Sequence, residues 1–201
     1  MISMTGTMAE RYAKPHTTCY DLGCSLGAST LAIQNKLPSG DCRIIAVDNS
    51  PQMIERCQQI LESSKSSARV KLVCDDIQNI TIKNASLVVL NFTLQFVPLN
   101  QRKELIEKIS AGLIPGGALV LSEKIRFDND HHDKLMAELH HNFKRANGYS
   151  DLEISQKRSA LEDVLLPETP QTHKNRLIEA GFSSVDQWFQ CFNFASFVAI
   201  K

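Results

Sequence analysis

The sequence contains no C-x-x-C pair, so neither a zinc ribbon nor a thioredoxin-like redox motif is supported. It has no apolar run near the ~18 residues that a transmembrane helix needs. Its first residues, MISMTGTMAERYAKP, lack the charged-then-apolar order of a secretory signal. It has no excess charge of either sign. Twenty-two Lys and Arg balance 22 Asp and Glu, which argues against a general nucleic-acid binder. There are no internal repeats and no low-complexity tracts.

What is present fits one domain spanning 1–201. Apolar residues make up 43% and charged residues 22%, as in an average globular chain. That length buries a core without disulfides or structural metals. Cys19, Cys42, Cys74 and Cys191 sit in or beside apolar runs, where cysteine acts as a small hydrophobe. With Cys24 and Cys57 they read as six buried or half-buried thiols in a reducing cytoplasm.

Strand-like and helix-like segments alternate. Residues 2–12 read as a helix closed by Lys14 and Pro15, and 18–22 as a strand followed by Gly23 and Gly27. Residues 28–37 read as a helix, and 43–47 as the β-branched run of a buried parallel strand. Pro51 starts a helix running to about Ser63. Strands follow at 70–74 and 86–91, a helix at 101–113, a Pro115-Gly116-Gly117 turn, and a fifth strand at 118–122. The alternation predicts an α/β, Rossmann-like fold with a mostly parallel sheet and right-handed crossovers. Residues 128–166 are polar and helix-prone, a helical insertion without a strand pattern. A last helix over 170–180, closed by Gly181, precedes strands at 185–191 and 194–200. Those two strands predict an antiparallel hairpin that completes a seven-stranded sheet.

Four polar groups mark the ends of four successive strands. The first is the turn from Tyr20 to Gly27, which contains Asp21, Gly23, Cys24 and Ser25. Ser25 replaces the second glycine of a dinucleotide fingerprint, and Asp21 would repel a diphosphate, so a cationic ligand suits the loop better. Asp48 ends the next strand, where an acidic residue accepts both hydroxyls of a ribose, and Asn49 adds an amide. Asp76 follows the third strand, placed for an adenine amino group, with Ile77 for the ring. Asn91 ends the fourth, where the reactive end of such a ligand lies. Singly, each residue reads equally well as a cap or turn residue.

This constellation resembles the class I S-adenosylmethionine-dependent methyltransferases over nearly the whole chain. Further blocks narrow it: YDLGCSLGA (20–28), VDNSPQMIERC (47–57), VVLNFTLQF (88–96), GGALVLSEK (116–124), FKRANGYS (143–150), LEISQKRSALE (152–162) and WFQCFNF (188–194). These are similar to the carboxy-S-adenosyl-L-methionine synthase family. The resemblance implies that S-adenosylmethionine and prephenate give carboxy-S-adenosylmethionine, phenylpyruvate and water. The product would be the carboxymethyl donor for a separate tRNA carboxymethyltransferase acting on wobble uridine. It also implies a homodimer, no metal and no direct nucleic-acid contact. Family members carry some tens of residues ahead of the position of Met1, which help cover the cofactor and supply a tyrosine.

By the same resemblance, Asp21 faces the sulfonium and Gly23, Cys24 and Ser25 line the amino-acid end. Arg158 binds the transferred carboxylate, within a subunit or across a dimer interface. A carboxylate calls for the two-point fork of an arginine. Carboxylating the methyl requires removing a proton from it, and the acidified methyl would pass through an ylide. His140 and His141 are candidate bases that also read as surface residues. The favoured acceptor is the hydroxide leaving prephenate. Lys124, Arg126, Lys144 and Arg145 are candidates for steering a dianion. Trp188, Phe189, Phe192 and Phe194 read as core or dimer interface. An ordinary methyltransferase and a non-catalytic binding partner are the competing readings, and a nicotinamide-dependent dehydrogenase fits least.

Overall fold

The computed structural model describes residues 1–37, 42–63, 69–162 and 164–201, with the backbone alone for 157–162. In chain order the elements are α1 (Ile2–Tyr12), β1 (Thr18–Leu22), α2 (Ala28–Gln34), β2 (Arg43–Asp48), α3 (Pro51–Glu62), β3 (Val70–Cys74) and β4 (Ala85–Asn91). Two 3-10 turns, Leu94–Phe96 and Leu99–Gln101, lead into α4 (Arg102–Gly112) and β5 (Leu113–Lys124). Then come α5 (Asp130–Ala146), α6 (Asp151–Glu162), α7 (Pro170–Glu179), β6 (Ser184–Cys191) and β7 (Phe194–Ile200).

The strands form one sheet in the order β3-β2-β1-β4-β5-β7-β6. The first five strands in that order pair parallel, while β7 runs antiparallel to both β5 and β6. Period-2 alternation sends side chains to opposite faces. On β4, Val88 and Leu90 join one core cluster with Tyr20, Leu22, Leu119, Leu121 and Phe197. Leu87 and Val89 join the other, with Cys19, Ile44 and Val120. Each fully buried aliphatic side chain contributes roughly 1.5–3 kcal/mol. A sheet covered on both faces explains why its central strands read as continuous apolar runs.

Helix starts carry their chemistry locally. The Met53 N–H donates to Ser50 Oγ at 3.4 Å ahead of Pro51, and the Thr172 N–H donates to Thr169 Oγ1 at 3.2 Å ahead of Pro170. The His132 N–H donates to the Asn129 side chain at 2.9 Å. Such caps contribute about 1 kcal/mol each. No described helix is long and apolar enough to cross a membrane.

Three expectations need correction. Helix α2 ends at Gln34, not Leu37, because the chain tightens there: the Lys36 N–H reaches Ile33 O at 3.0 Å. Strand β5 begins at Leu113 rather than 118. Leu113 pairs with Ala85 and Ala118 with Leu87, so 114–117 form an irregularity within the strand. The expected turn glycines are held there by residue 201: the Gly116 N–H donates to Lys201 O at 3.0 Å, and the Lys201 N–H to Gly117 O at 2.9 Å. Finally, four of the six free cysteines are buried, but Cys74 and Cys191 are exposed, since both end the edge strands β3 and β6.

Candidate active site

The sheet order sets the site. Strands β3, β2, β1 and β4 are adjacent and parallel, so their C-terminal ends share one edge. The chain leaves β1 toward β2 and returns on the other side as β4, which opens a crevice between β1 and β4. A cleft of about 680 Å³ lies there, a size suited to a small molecule. Gly23, Ser25, Asp48, Asn49, Asp76, Ile77 and Asn91 all line it. A smaller recess of about 270 Å³ adjoins it, lined by Gly23, Cys24, Ser25, Ser29 and Asn91 among others.

The loop after β1 is held by β2. The N–H groups of Gly23 and Cys24 both donate to Val47 O at 2.8 Å. Gly23 has φ +83°, and a Cβ there would sit 2.2 Å from Thr93 Oγ1, so only glycine fits. Ser25 adopts φ +48° although it is not glycine. Its N–H donates to Asp48 Oδ2 at 2.9 Å, which anchors that strained conformation. Asp48 Oδ1 accepts the Ser50 N–H at 3.0 Å. Each Asp48 oxygen keeps a lone pair for a ligand hydroxyl.

Asp76 Oδ1 accepts the Gln78 N–H at 2.8 Å, which shapes the turn after β3 and leaves Ile77 buried beside it. Asn91 Nδ2 donates to Ser29 Oγ at 3.2 Å, while Asn91 Oδ1 is buried without a partner. An orphaned acceptor at the junction of two cavities suits a ligand donor.

Three expected residues are not among the described residues that line the main cleft. Asp21 lines neither cavity: it is 1% exposed on β1, and Oδ2 accepts the Thr30 hydroxyl at 2.5 Å. Burial pushes its carboxyl up to about 6; the Thr30 bonds pull it down and Asp48 pushes it up. Its other oxygen, Oδ1, is buried without a partner among the described residues. Cys24 lines the small recess with its thiol turned to Cys57, and that contact, burial and the two carboxylates raise its pKa. Arg158 lies on α6, where its side chain is outside the described residues.

The rest of the cleft wall was missed by sequence reasoning. It is the segment 92–98, where Phe92, Thr93, Phe96, Val97 and Pro98 line the cleft, with Gln78 and Gln101 beside them. Its residue types carry no charge signal: the run 91–96 stands out at the end of the fourth strand, but only Asn91 in it has a side chain that suggests a role. The wall rests on a buried acid and a buried cation. Glu123, fully buried, accepts the N–H groups of Leu94 and Gln95 at 2.9 and 3.0 Å. Burial pushes its carboxyl up to about 8, against the pull of those bonds and of Arg102.

The histidines and cations stay outside the cleft. His140 is half-buried rather than a surface residue, its ring edge-on to Phe194 at 4.8 Å, and Phe194 in turn meets Phe92 at 5.7 Å. His141 is half-buried as well. Arg126 pairs with Asp128 at 3.8 Å, and Arg145 with Asp151 at 2.6 Å. Neither these arginines nor Lys124 and Lys144 line the cleft. Trp188 is partly buried, and Nε1 donates to Ser196 Oγ at 2.7 Å.

Comparisons with known proteins agree with this geometry. A methyltransferase-domain model matches residues 19–117. The chain is 60% identical over 202 residues to a carboxy-S-adenosyl-L-methionine synthase from Geobacter sp. (strain M21), covering 100% of this chain and 83% of that one. A Klebsiella pneumoniae protein of the same name is 54% identical, covering 100% and 81%. Among solved structures, a putative O-methyltransferase from Nostoc punctiforme superposes with a TM-score of 0.70 at 16% identity, covering 100% and 57%. Magnesium protoporphyrin IX methyltransferase from Synechocystis superposes at 0.64 and 13%, covering 99% and 76%. The distant structures show the fold, the close relatives show more, and the chain belongs to the carboxy-S-adenosyl-L-methionine synthase family.

Proposed function

We propose that the chain binds S-adenosylmethionine across the ends of β1–β4 and, with prephenate as carboxyl donor, forms carboxy-S-adenosylmethionine, phenylpyruvate and water. The carrying observation is the single cleft that gathers Ser25, Asp48, Asp76 and Asn91, in a chain 60% identical to a protein of that name. The residues fit the nucleoside. Asp48 has lone pairs for two ribose hydroxyls, Asp76 and Ile77 offer an acceptor and an apolar face to adenine, and the orphaned Asn91 Oδ1 awaits a donor. Gly23 lets the backbone approach closely.

Bound S-adenosylmethionine supplies a methyl acidified by its sulfonium. The buried charge of Asp21 favours a cation in front of the loop, and Arg158 holds the carboxylate end. Among the described residues that line the cleft none is His, Cys, Lys or Glu, and both lining carboxylates already accept backbone bonds. The chain's part is therefore to position the reactants and exclude water. Prephenate releases carbon dioxide and hydroxide as its ring becomes aromatic. The hydroxide takes the methyl proton to make water, and the carbon dioxide becomes the new carboxyl.

The same reading makes the protein a cytoplasmic homodimer that does not contact nucleic acid and hands its product to a tRNA carboxymethyltransferase for wobble uridine. Six free thiols suit a reducing compartment. Leu135, Leu139 and Phe143, four residues apart on α5, expose an apolar stripe suited to a second copy. The test is to incubate the protein with S-adenosylmethionine and prephenate, denature it, and take the mass of the released nucleoside. A nucleoside heavier by one carbon dioxide, with phenylpyruvate alongside, is expected. Unchanged S-adenosylmethionine would overturn the reading.

A further inference from the structure

The wall segment 92–98 is clamped from two sides by buried polar groups, the Glu123 carboxyl and the Arg102 guanidinium. Glu123 of β5 takes the N–H groups of Leu94 and Gln95, which open the 3-10 turn and have no helical acceptor. Arg102, the first residue of α4 and also fully buried, takes the carbonyls: Nε donates to Val97 O at 2.8 Å and Nη2 to Gln95 O at 3.1 Å. The remaining Arg102 nitrogen, Nη1, donates to Glu168 Oε2 at 2.5 Å, and Arg176 of α7 donates to Glu168 Oε1 at 2.5 Å. Glu168 lies just past the helical insertion. The Leu166 N–H, on the same connection, donates to Gln95 O at 3.2 Å.

Burying an acid and a guanidinium is costly, and an apolar filling of equal volume is often as stable. What the carboxylate and the guanidinium add is a fixed backbone: every bond they make toward the cleft ends on a main-chain atom of 94–97. We propose that Glu123 is a positioning residue for the reaction. With Arg102 it sets the wall 92–98 against the cleft, and through Arg102 and Glu168 it joins that wall to the end of the insertion that carries Arg158. The proposal rests on the reading of the cleft as the S-adenosylmethionine site.

The test compares wild type and Glu123→Gln by amide hydrogen exchange, by calorimetry with S-adenosylmethionine, and by steady-state turnover with S-adenosylmethionine and prephenate. Glutamine keeps the shape but turns an NH2 toward one of the two N–H donors. The expected result is local. Exchange in 92–98 rises at least tenfold, β1 and β2 stay as in wild type, and the KM for S-adenosylmethionine rises about tenfold while kcat changes less than threefold. Exchange raised evenly across the sheet would mark a merely structural role and overturn the proposal, as would unchanged exchange in 92–98. If Glu123→Gln does not fold, Glu168→Gln carries the test from the other end: faster exchange confined to 92–98 and 164–168 supports the link, and its absence overturns it. Wild type that binds no S-adenosylmethionine would remove the cleft reading, yet the exchange comparison on the unliganded chain would still decide whether Glu123 fixes the wall.

Discussion

The main-chain N–H of Ser25 donates to the carboxylate of Asp48, and this one bond fastens the turn after β1 to the end of β2. It couples the residue that departs from the usual glycine to the residue placed for the ribose. Asp48→Ala removes both the anchor of a left-handed Ser25 and the acceptor for two hydroxyls. Hydrogen bonds to a charged group contribute about 1.5–3 kcal/mol. Calorimetry is expected to show S-adenosylmethionine affinity falling at least tenfold, with β-sheet content unchanged by circular dichroism.

Gly23→Ala would place a Cβ 2.2 Å from Thr93 Oγ1 and force a side chain into φ +83°. Together these cost about 2–4 kcal/mol. The double variant Gly23→Ala with Thr93→Gly removes the clash and leaves the dihedral strain. Urea unfolding should therefore return part of the lost stability, not all of it. Full recovery would mean that φ at position 23 relaxes freely.

Stability against pH carries a sign that belongs to Glu123. Its folded pKa, about 8, lies above the ordinary carboxylate value, so the folded state binds more protons than the unfolded one from about pH 4.5 to 8. Stability then falls as pH rises through that window. Asp21, raised to about 6, acts the same way over a lower and narrower range. His173 opposes them: burial pushes its imidazole down to about 4, so stability rises with pH between about 4 and 6.5. Above pH 6.5 only Glu123 remains among the three. Cys42, its thiol pulled down to about 6 chiefly by Cys19, titrates there with the opposite sign. In chemical denaturation from pH 6.5 to 8, the wild-type curve minus that of Glu123→Gln should therefore decline by at most about 1.4 kcal/mol per pH unit.

Arg158→Ala is expected to separate binding from chemistry. Affinity for S-adenosylmethionine should stay within threefold, because Asp48, Asp76 and Asn91 remain. Carboxy-S-adenosylmethionine formation should fall at least tenfold, the loss of a two-point carboxylate contact. Equal losses in both would show that Arg158 supports the fold or the assembly instead.

His140→Ala and His141→Ala should each keep at least a third of wild-type turnover under saturating substrates. His140 packs on Phe194 and lies outside the cleft lining. Abolished turnover at either position would make that histidine the base and remove hydroxide from its role.

The seven strands were legible because each central one is a short β-branched or aliphatic run bounded by polar turn residues, and seven of the ten expected site residues stand at those boundaries and line the cleft. What was not legible depends on three-dimensional neighbours. Asp21 looks like a site residue until burial and Thr30 place it behind the loop. Pro115-Gly116-Gly117 reads as a turn, yet pairing with Lys201 keeps it within β5. The wall at 92–98 draws its rigidity from Glu123 and Arg102, and Arg102 reaches Glu168 across 66 positions of sequence. No local pattern records such a link.

The strand order also governs how the molecule is born. Strand β7, the last made, lies inside the sheet between β5 and β6. A nascent chain can therefore align β1 to β5 while the flank of β5 that awaits β7 stays unpaired, with Leu119, Val120 and Leu121 beside it. That flank is an unpaired, apolar-flanked edge of the kind that recruits other chains during translation. Ribosome stalling or premature release before residue 200 would leave a sticky edge rather than a smaller enzyme.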